Sequence, residues 1–242
     1  VWRGLYVVIS ALLLRRAGLD WPVIVLGLAG PATLLDIFGG ENGVLTGGVL
    51  VSALLMMNTK PFQGGVIAGL LCIKPQVGMM LPMVLFGRRP ALAGFVLCVG
   101  LLVLATLPLE GWYSWWWFLS GSRQSSTSLV VTPFTQLFPV IGDTTFYMAR
   151  SFGAGLRQAW MIQAISSVLA AAVTLQVWRR ARRDPVLLMA MTVCLTVLLV
   201  PYGYLYDLVG YCVAMAALFF RAPDMRKPVY MALWLFAGAL DH

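Results

Sequence analysis

Lys74-Pro75-Gln76 interrupts an apolar stretch that runs from residue 64 to residue 86. Lysine is a compact point charge suited to phosphate, and holding it near a bilayer centre costs about 2.5–3.5 kcal/mol on insertion scales. Proline removes a backbone donor and drives the preceding residue out of the helical region, so the chain should break at this tripeptide. Two other polar groups stand out against the apolar background: Glu41 and Asn42 inside Gly40-Glu41-Asn42-Gly43, and the run Pro201-Tyr202-Gly203-Tyr204-Leu205-Tyr206-Asp207. Together they offer a cation for an anionic group, carboxylates for hydroxyls or protons, and aromatic faces for sugar rings. Plainer uses are open for each. Lys74 either meets a phosphate, closes a structural ion pair with Asp207 or Glu41, or snorkels to the interface. Asp36 is either a helix-end residue or a site member, and Asp207 either binds sugar or caps the next helix. Tyr202, Tyr204 and Tyr206 fit an interfacial aromatic belt as well as a stacking platform.

The composition says what kind of molecule must position these groups. Of 242 residues, 60% are hydrophobic and 11% are charged, against roughly 25% charged in ordinary soluble domains. With a mean hydropathy of +0.87, too little polar surface remains to cover a soluble globule. Disorder, collagen and coiled coil are excluded on the same grounds, and no period-2 alternation supports a barrel. The expected fold class is all-α, a polytopic transmembrane bundle with short broken helices, occupying residues 1–242 as a single domain. The net charge of +8 sits mostly in short clusters between apolar runs, so no nucleic-acid-binding face is expected. Cys72, Cys98, Cys194 and Cys212 lie inside apolar runs without metal-ligand or redox spacing and read as small hydrophobes. No metal site and no cofactor are expected.

The basic clusters set the topology. Arg15-Arg16, Lys60, Arg88-Arg89, the arginines of 179–183 and Arg221 to Lys227 mark one side of the membrane, the cytoplasmic one. Each pair of neighbouring clusters must then be separated by an even number of crossings. For Lys60 and Arg88 this requires two half-length helices meeting at Lys74, not one helix through 64–86. The opposite, extracytoplasmic side receives Asp36, Glu41, Asn42, Lys74, Gln76, Glu110, Asp143, Tyr202, Tyr204, Tyr206 and Asp207. Because irregular backbone at membrane depth is tolerated only inside protein or beside a water-filled cavity, the expectation is an outward-facing cavity with a buried cation. The first and last apolar runs read as interrupted helices, so both ends are expected to be cut.

Gly40-Glu41-Asn42-Gly43, Lys60-Pro61, Ala68-Gly69-Leu70-Leu71, Lys74-Pro75-Gln76, Leu81-Pro82 and 201–207 follow one another in an order that resembles glycosyltransferase family 87. That family comprises polyprenol-phosphate-mannose-dependent α-(1→2)-mannosyltransferases of the GT-C fold. The resemblance covers most of 1–220. It implies a GT-C-type membrane hexosyltransferase in the cell membrane, with a polyprenyl-phosphate-linked sugar donor (mannose on the resemblance alone), a glycan or glycolipid acceptor outside the cytoplasm, and lipid as surroundings. With the residue chemistry above, the expected roles are donor-phosphate binding for Lys74 and Gln76, and substrate orientation for Glu41, Asn42, Tyr202, Tyr206 and Asp207. The general base of such enzymes is an aspartate in a first outer loop that would precede Val1, which leaves the catalytic residue unassigned in this chain. Two positions depart from the pattern: Glu41 stands where the family usually has Gln, and Tyr202 where it often has His.

Residues 109–156 are expected to form an extracytoplasmic loop. Within it Trp112, Tyr113, Trp115, Trp116, Trp117 and Phe118 form either an interfacial anchor or a wall for the polyprenyl chain or acceptor. The serine-rich run 120–128 reads as exposed loop, and Pro133-Phe134-Thr135-Gln136 as a segment that could re-enter the cavity. His242 is given no role. A transporter, which also uses broken helices, and a non-catalytic membrane subunit are the alternative readings.

Overall fold

The computed structural model describes residues 2–131, 142–180 and 184–237, with the backbone alone over 122–131. The described residues form an all-α bundle. Helices α1 (Trp2–Arg16), α2 (Trp21–Leu28), α3 (Pro31–Gly39), α4 (Gly43–Met56), α5 (Pro61–Gly69), α6 (Leu81–Leu85) and α7 (Arg89–Val131) precede the first gap. Helices α8 (Thr145–Ser151), α9 (Leu156–Arg180), α10 (Pro185–Leu199), α11 (Val209–Arg221) and α12 (Lys227–Phe236) follow it. Among the described residues two helices are long and apolar enough to cross a bilayer, within Arg89–Gly121 and Leu156–Arg180, and α2 with α3 reach that length and apolarity only as a pair, bent by 54°.

Proline sets most of the breaks. Lys60 precedes Pro61 and takes φ −137°, ψ 67°; Lys74 precedes Pro75 and takes φ −141°, ψ 74°, both outside the helical region as the following ring demands. A 3₁₀ turn over Leu70–Ile73 extends α5 to the break, giving 13 residues, Pro61–Ile73, or about 20 Å of rise against the roughly 30 Å of hydrocarbon. Hydrogen-bonded turns carry the chain from Lys74 to α6.

The segment 61–86 therefore goes in and comes back, as the charge clusters predict. Its return is fixed at both ends. A Cβ at Gly65 would collide with the Ala91 carbonyl, and one at Gly69 would meet Cys98, so α5 and α7 start together and run in parallel. At the same end Arg88 donates to the Trp178 carbonyl at 3.2 Å and lies over its ring, and Arg221 pairs with Asp184 at 2.7 Å. Lys60, Arg88, Arg179 and Arg221 thus share one end of the bundle.

Within 109–156 the described residues are mostly helical. Helix α7 continues to Val131 across a single break at Gly111 (φ 72°, ψ 171°), with Pro108 just before it, and α8 occupies 145–151. The serine-rich run is helical in backbone, continuing the helical stretch that starts after the Gly111 break. Pro133 to Gln136 and His242 lie outside the described residues. Cys98 and Cys212 are buried, and Cys72 and Cys194 half-buried; all four thiols are free.

The apolar core contains one instructive polar residue. Gln163 on α9 is 1% exposed. Its amide donates to the carbonyls of Leu198 and Leu199 at 3.0 and 3.1 Å, and its oxygen accepts from Phe146 N–H at 2.8 Å. Those carbonyls are left without helical partners where α10 ends before Pro201, and in a membrane they must be satisfied internally. Replacing Gly65 by valine should cost about 1–3 kcal/mol through overpacking against Ala91, read as a lowered unfolding midpoint in detergent; a wild-type midpoint would show that α5 and α7 do not approach as described.

Candidate functional site

The elements converge opposite the basic end. Asp36, on the last turn of α3 and 2% exposed, accepts the N–H groups of Gly43 at 2.5 Å and Val44 at 3.1 Å. It is the cap of α4, which settles its helix-end role. Capping folds the Gly40–Asn42 turn inward, and Gly43 comes so close to the Tyr206 carbonyl that no Cβ fits there. Glu41 and Asn42 are thereby held beside the 3₁₀ turn Leu205–Leu208. Glu41 makes no ion pair among the described residues, and its charge acts on Tyr206 and Asp207 through space. The Asn42 side-chain oxygen is buried without a partner among the described residues. Arg3 of α1 lies against Gly40.

Lys74 is 8% exposed. Its ammonium lies 2.5 Å from Asp207 Oδ1, with each side chain 10% exposed, and 5.0 Å from the Tyr206 ring centroid. Of the fates open to Lys74 in the sequence, the ion pair with Asp207 is the one present in this structure. Tyr206 stacks in turn on Tyr204, with centroids 5.4 Å apart. The cation is therefore covered, by a carboxylate on one side and a ring on another.

The 74–78 turn has two faces. Gln76 and Val77 line a small cavity of about 50 Å³ together with Asp143, Tyr202, Gly203 and Asp207. Cys72, Pro75 and Gly78 instead line an apolar groove of about 750 Å³, walled by Leu71, Phe95, Trp115 and Phe118 among others. Trp115 is set there by its indole N–H, which donates to Thr106 Oγ1 at 3.0 Å after α7 breaks at Gly111. Trp112, Tyr113, Trp116 and Trp117 remain exposed. The aromatic cluster thus supplies both an exposed belt and part of a groove wall.

The structure brings Lys74, Gln76, Tyr202, Tyr206 and Asp207 to one place, with Glu41 and Asn42 at its edge. It adds Asp143 and Thr144, which the sequence does not single out as site residues. They arrive through an isolated bridge between Gly142 and Tyr204: Asp143 N–H donates to the Gly203 carbonyl at 3.2 Å, and Thr144 Oγ1 donates to the Pro201 carbonyl at 3.2 Å. The only local signal is that Thr144 caps α8, accepting from Tyr147 N–H. Among the described residues no group of three or more His, Cys, Asp or Glu side chains could hold a metal ion.

Removing either partner of the buried pair leaves an uncompensated charge, at about 3–5 kcal/mol. Lys74→Met should therefore destabilise the fold by that order, and Lys74→Met with Asp207→Leu should recover most of the loss, measured by unfolding in mixed micelles. Equal losses in the single and double variants would show that the two groups are not paired.

A family model described as glycosyltransferase family 87 matches residues 3–201. No curated protein matches, and no solved structure matches.

Proposed function

Because this chain belongs to glycosyltransferase family 87, a family of membrane glycosyltransferases, we propose that its donor is a sugar carried on a polyprenyl phosphate and that transfer takes place at the Lys74–Asp207 end of the bundle, on the extracytoplasmic side. The observation that carries this reading is the two-faced turn at Lys74. An open apolar groove passes one face, and behind the other lies a small cavity whose mostly apolar wall carries Gln76, Asp143, Tyr202 and Asp207; the ammonium is paired with that same Asp207. A lipid-linked sugar needs that sequence of environments: hydrocarbon for the chain, a cation for the phosphate, polar groups for the ring.

The reaction moves one bond. An acceptor hydroxyl attacks the anomeric carbon, the carbon–oxygen bond to phosphate breaks, and the phosphate leaves with the electron pair. Lys74 would meet the charge that accumulates on the leaving group, which is where a fixed cation lowers the barrier. Its ammonium has three donors; one faces Asp207, and the others become available to phosphate once the cover opens. Gln76 supplies an amide beside it. Glu41, Asn42, Tyr202, Tyr206 and Asp207 would orient the sugars. A hexose, mannose in particular, and a glycan or glycolipid acceptor complete the reading.

The test uses the full-length protein in liposomes with a radiolabelled polyprenyl-phosphate mannose and an alkyl mannoside acceptor. Transfer of label to the acceptor is expected. Label that crosses the bilayer on an unchanged lipid would instead make the protein a transporter. Trp115→Ala and Phe118→Ala should raise KM at least several-fold for a long-chain donor and leave a short-chain donor unaffected; equal effects on both would remove the groove from the donor site.

A further inference from the structure

The cavity behind the 74–78 turn contains two carboxylate oxygens without donors. Asp143 Oδ1 and Asp207 Oδ2 are both buried, and neither has a hydrogen-bond partner among the described residues. Both residues line the same cavity. A buried carboxylate oxygen with no donor is costly, so this arrangement is complete only when something brings N–H or O–H groups into it.

The chemistry narrows the occupant. Two carboxylates in one cavity repel a phosphate, and the ammonium that would attract one faces away, toward Asp207 Oδ1 and the Tyr206 ring. The described residues offer too few ligands for a metal ion. An uncharged, hydroxyl-rich molecule matches better: its O–H groups donate to the carboxylates, and Gln76 both donates and accepts. At about 50 Å³ the cavity admits a hydroxyl-bearing edge of a sugar or a few waters, each needing roughly 10–15 Å³ on this measure.

We infer that Asp143 is an acceptor-binding residue, its free carboxylate oxygen receiving a hydrogen bond from a hydroxyl of the sugar that is to be glycosylated. This rests on the reading of the Lys74–Asp207 end as the transfer site. It gives the two substrates separate places: the donor phosphate at Lys74, the acceptor hydroxyls at Asp143, with Asp207 between them.

The electrostatics make the contact pH-dependent. Burial, and then the neighbouring Asp207 charge, push the Asp143 carboxyl up to about 7. The groups facing it are Asp207 and Tyr206 on the 201–207 turn and Tyr147 on α8, with the Lys74 cation beyond Asp207. The raised value means that the proton is held up to near-neutral pH and is lost above it. The ionised form is the stronger acceptor, so acceptor binding should tighten as pH rises through about 7.

The experiment compares Asp143→Asn and Asp143→Ala with wild type in the full-length protein, using octyl α-mannoside as the acceptor probe. Direct binding of the probe, by thermophoresis in detergent, should weaken at least ten-fold in both variants, with unfolding midpoints unchanged for Asp143→Asn. The tightening across neutral pH should disappear in Asp143→Asn. In transfer assays KM for the acceptor should rise at least ten-fold while KM for the donor stays within two-fold. Wild-type probe affinity and pH dependence in Asp143→Asn would overturn the inference and leave water as the cavity's occupant, as would a wild-type protein that fails to bind the probe. Equal changes in donor and acceptor KM would reduce Asp143 to a structural role. Normal probe binding in a protein that transfers no sugar would instead defeat the donor reading and leave Asp143 standing.

Discussion

The contact between Lys74 and Asp207 joins two parts of the chain that otherwise have little reason to meet. Lys74 sits at the tip of a half-length hairpin, and Asp207 on a turn more than a hundred residues later. A buried ion pair is a poor source of net stability, because desolvating both charges offsets most of their attraction. What it does provide is register. Neither charge tolerates being left alone in an apolar bundle, so the hairpin tip and the 205–208 turn must be at the same depth and in the same place. The Gly40–Gly43 turn is then held against Tyr206 by the Asp36 cap, and the 142–144 strand-like segment by its bridge to Tyr204.

Four separate chain segments reach this place because prolines and glycines stop helices short. Pro61 and Pro75 define the hairpin, Pro201 ends α10 below the 201–207 turn, and Gly111 breaks α7. Helix ends leave backbone groups without helical partners, and several are met from within the protein: by Asp36 for α4, by Gln163 for α10, by 3₁₀ bonds after Leu70. Such compensation is what permits irregular backbone beside hydrocarbon.

Much of this was legible in the sequence for definite reasons. Hydropathy and charge gave an all-α membrane bundle, because apolar runs of this density leave no alternative. The hairpin at Lys74 followed from the even-crossing requirement and from Pro75, two independent constraints on one residue. The extent of α7 was not legible: tryptophans and serines carry no helical stripe, and a helix break at Gly111 looks like the start of a loop. Asp143 was also out of reach as a site member. Its position depends on a backbone hydrogen bond to Gly203 and on the Thr144 hydroxyl bonding the Pro201 carbonyl, and such pairing between remote segments leaves no mark on hydropathy pattern. That Lys74 is paired with Asp207 here, and not exposed in a cavity, turns on a choice of partner that sequence can offer but not decide.

The identity of the cation matters to how such a site could work. An arginine paired to Asp207 would lock both oxygens in a fork, whereas a lysine is a point charge on a flexible stem that can change partners. With Asp207 as its partner, the Lys74 charge is neutralised, which keeps a bare cation out of the bundle. A phosphate arriving along the apolar groove would compete with Asp207 for the same ammonium. Asp207 would then need other donors; its second oxygen already lacks one, and the residue lines the small cavity. Filling of that cavity by hydroxyl groups and capture of the phosphate by Lys74 would therefore favour one another, since each compensates the charge that the other releases.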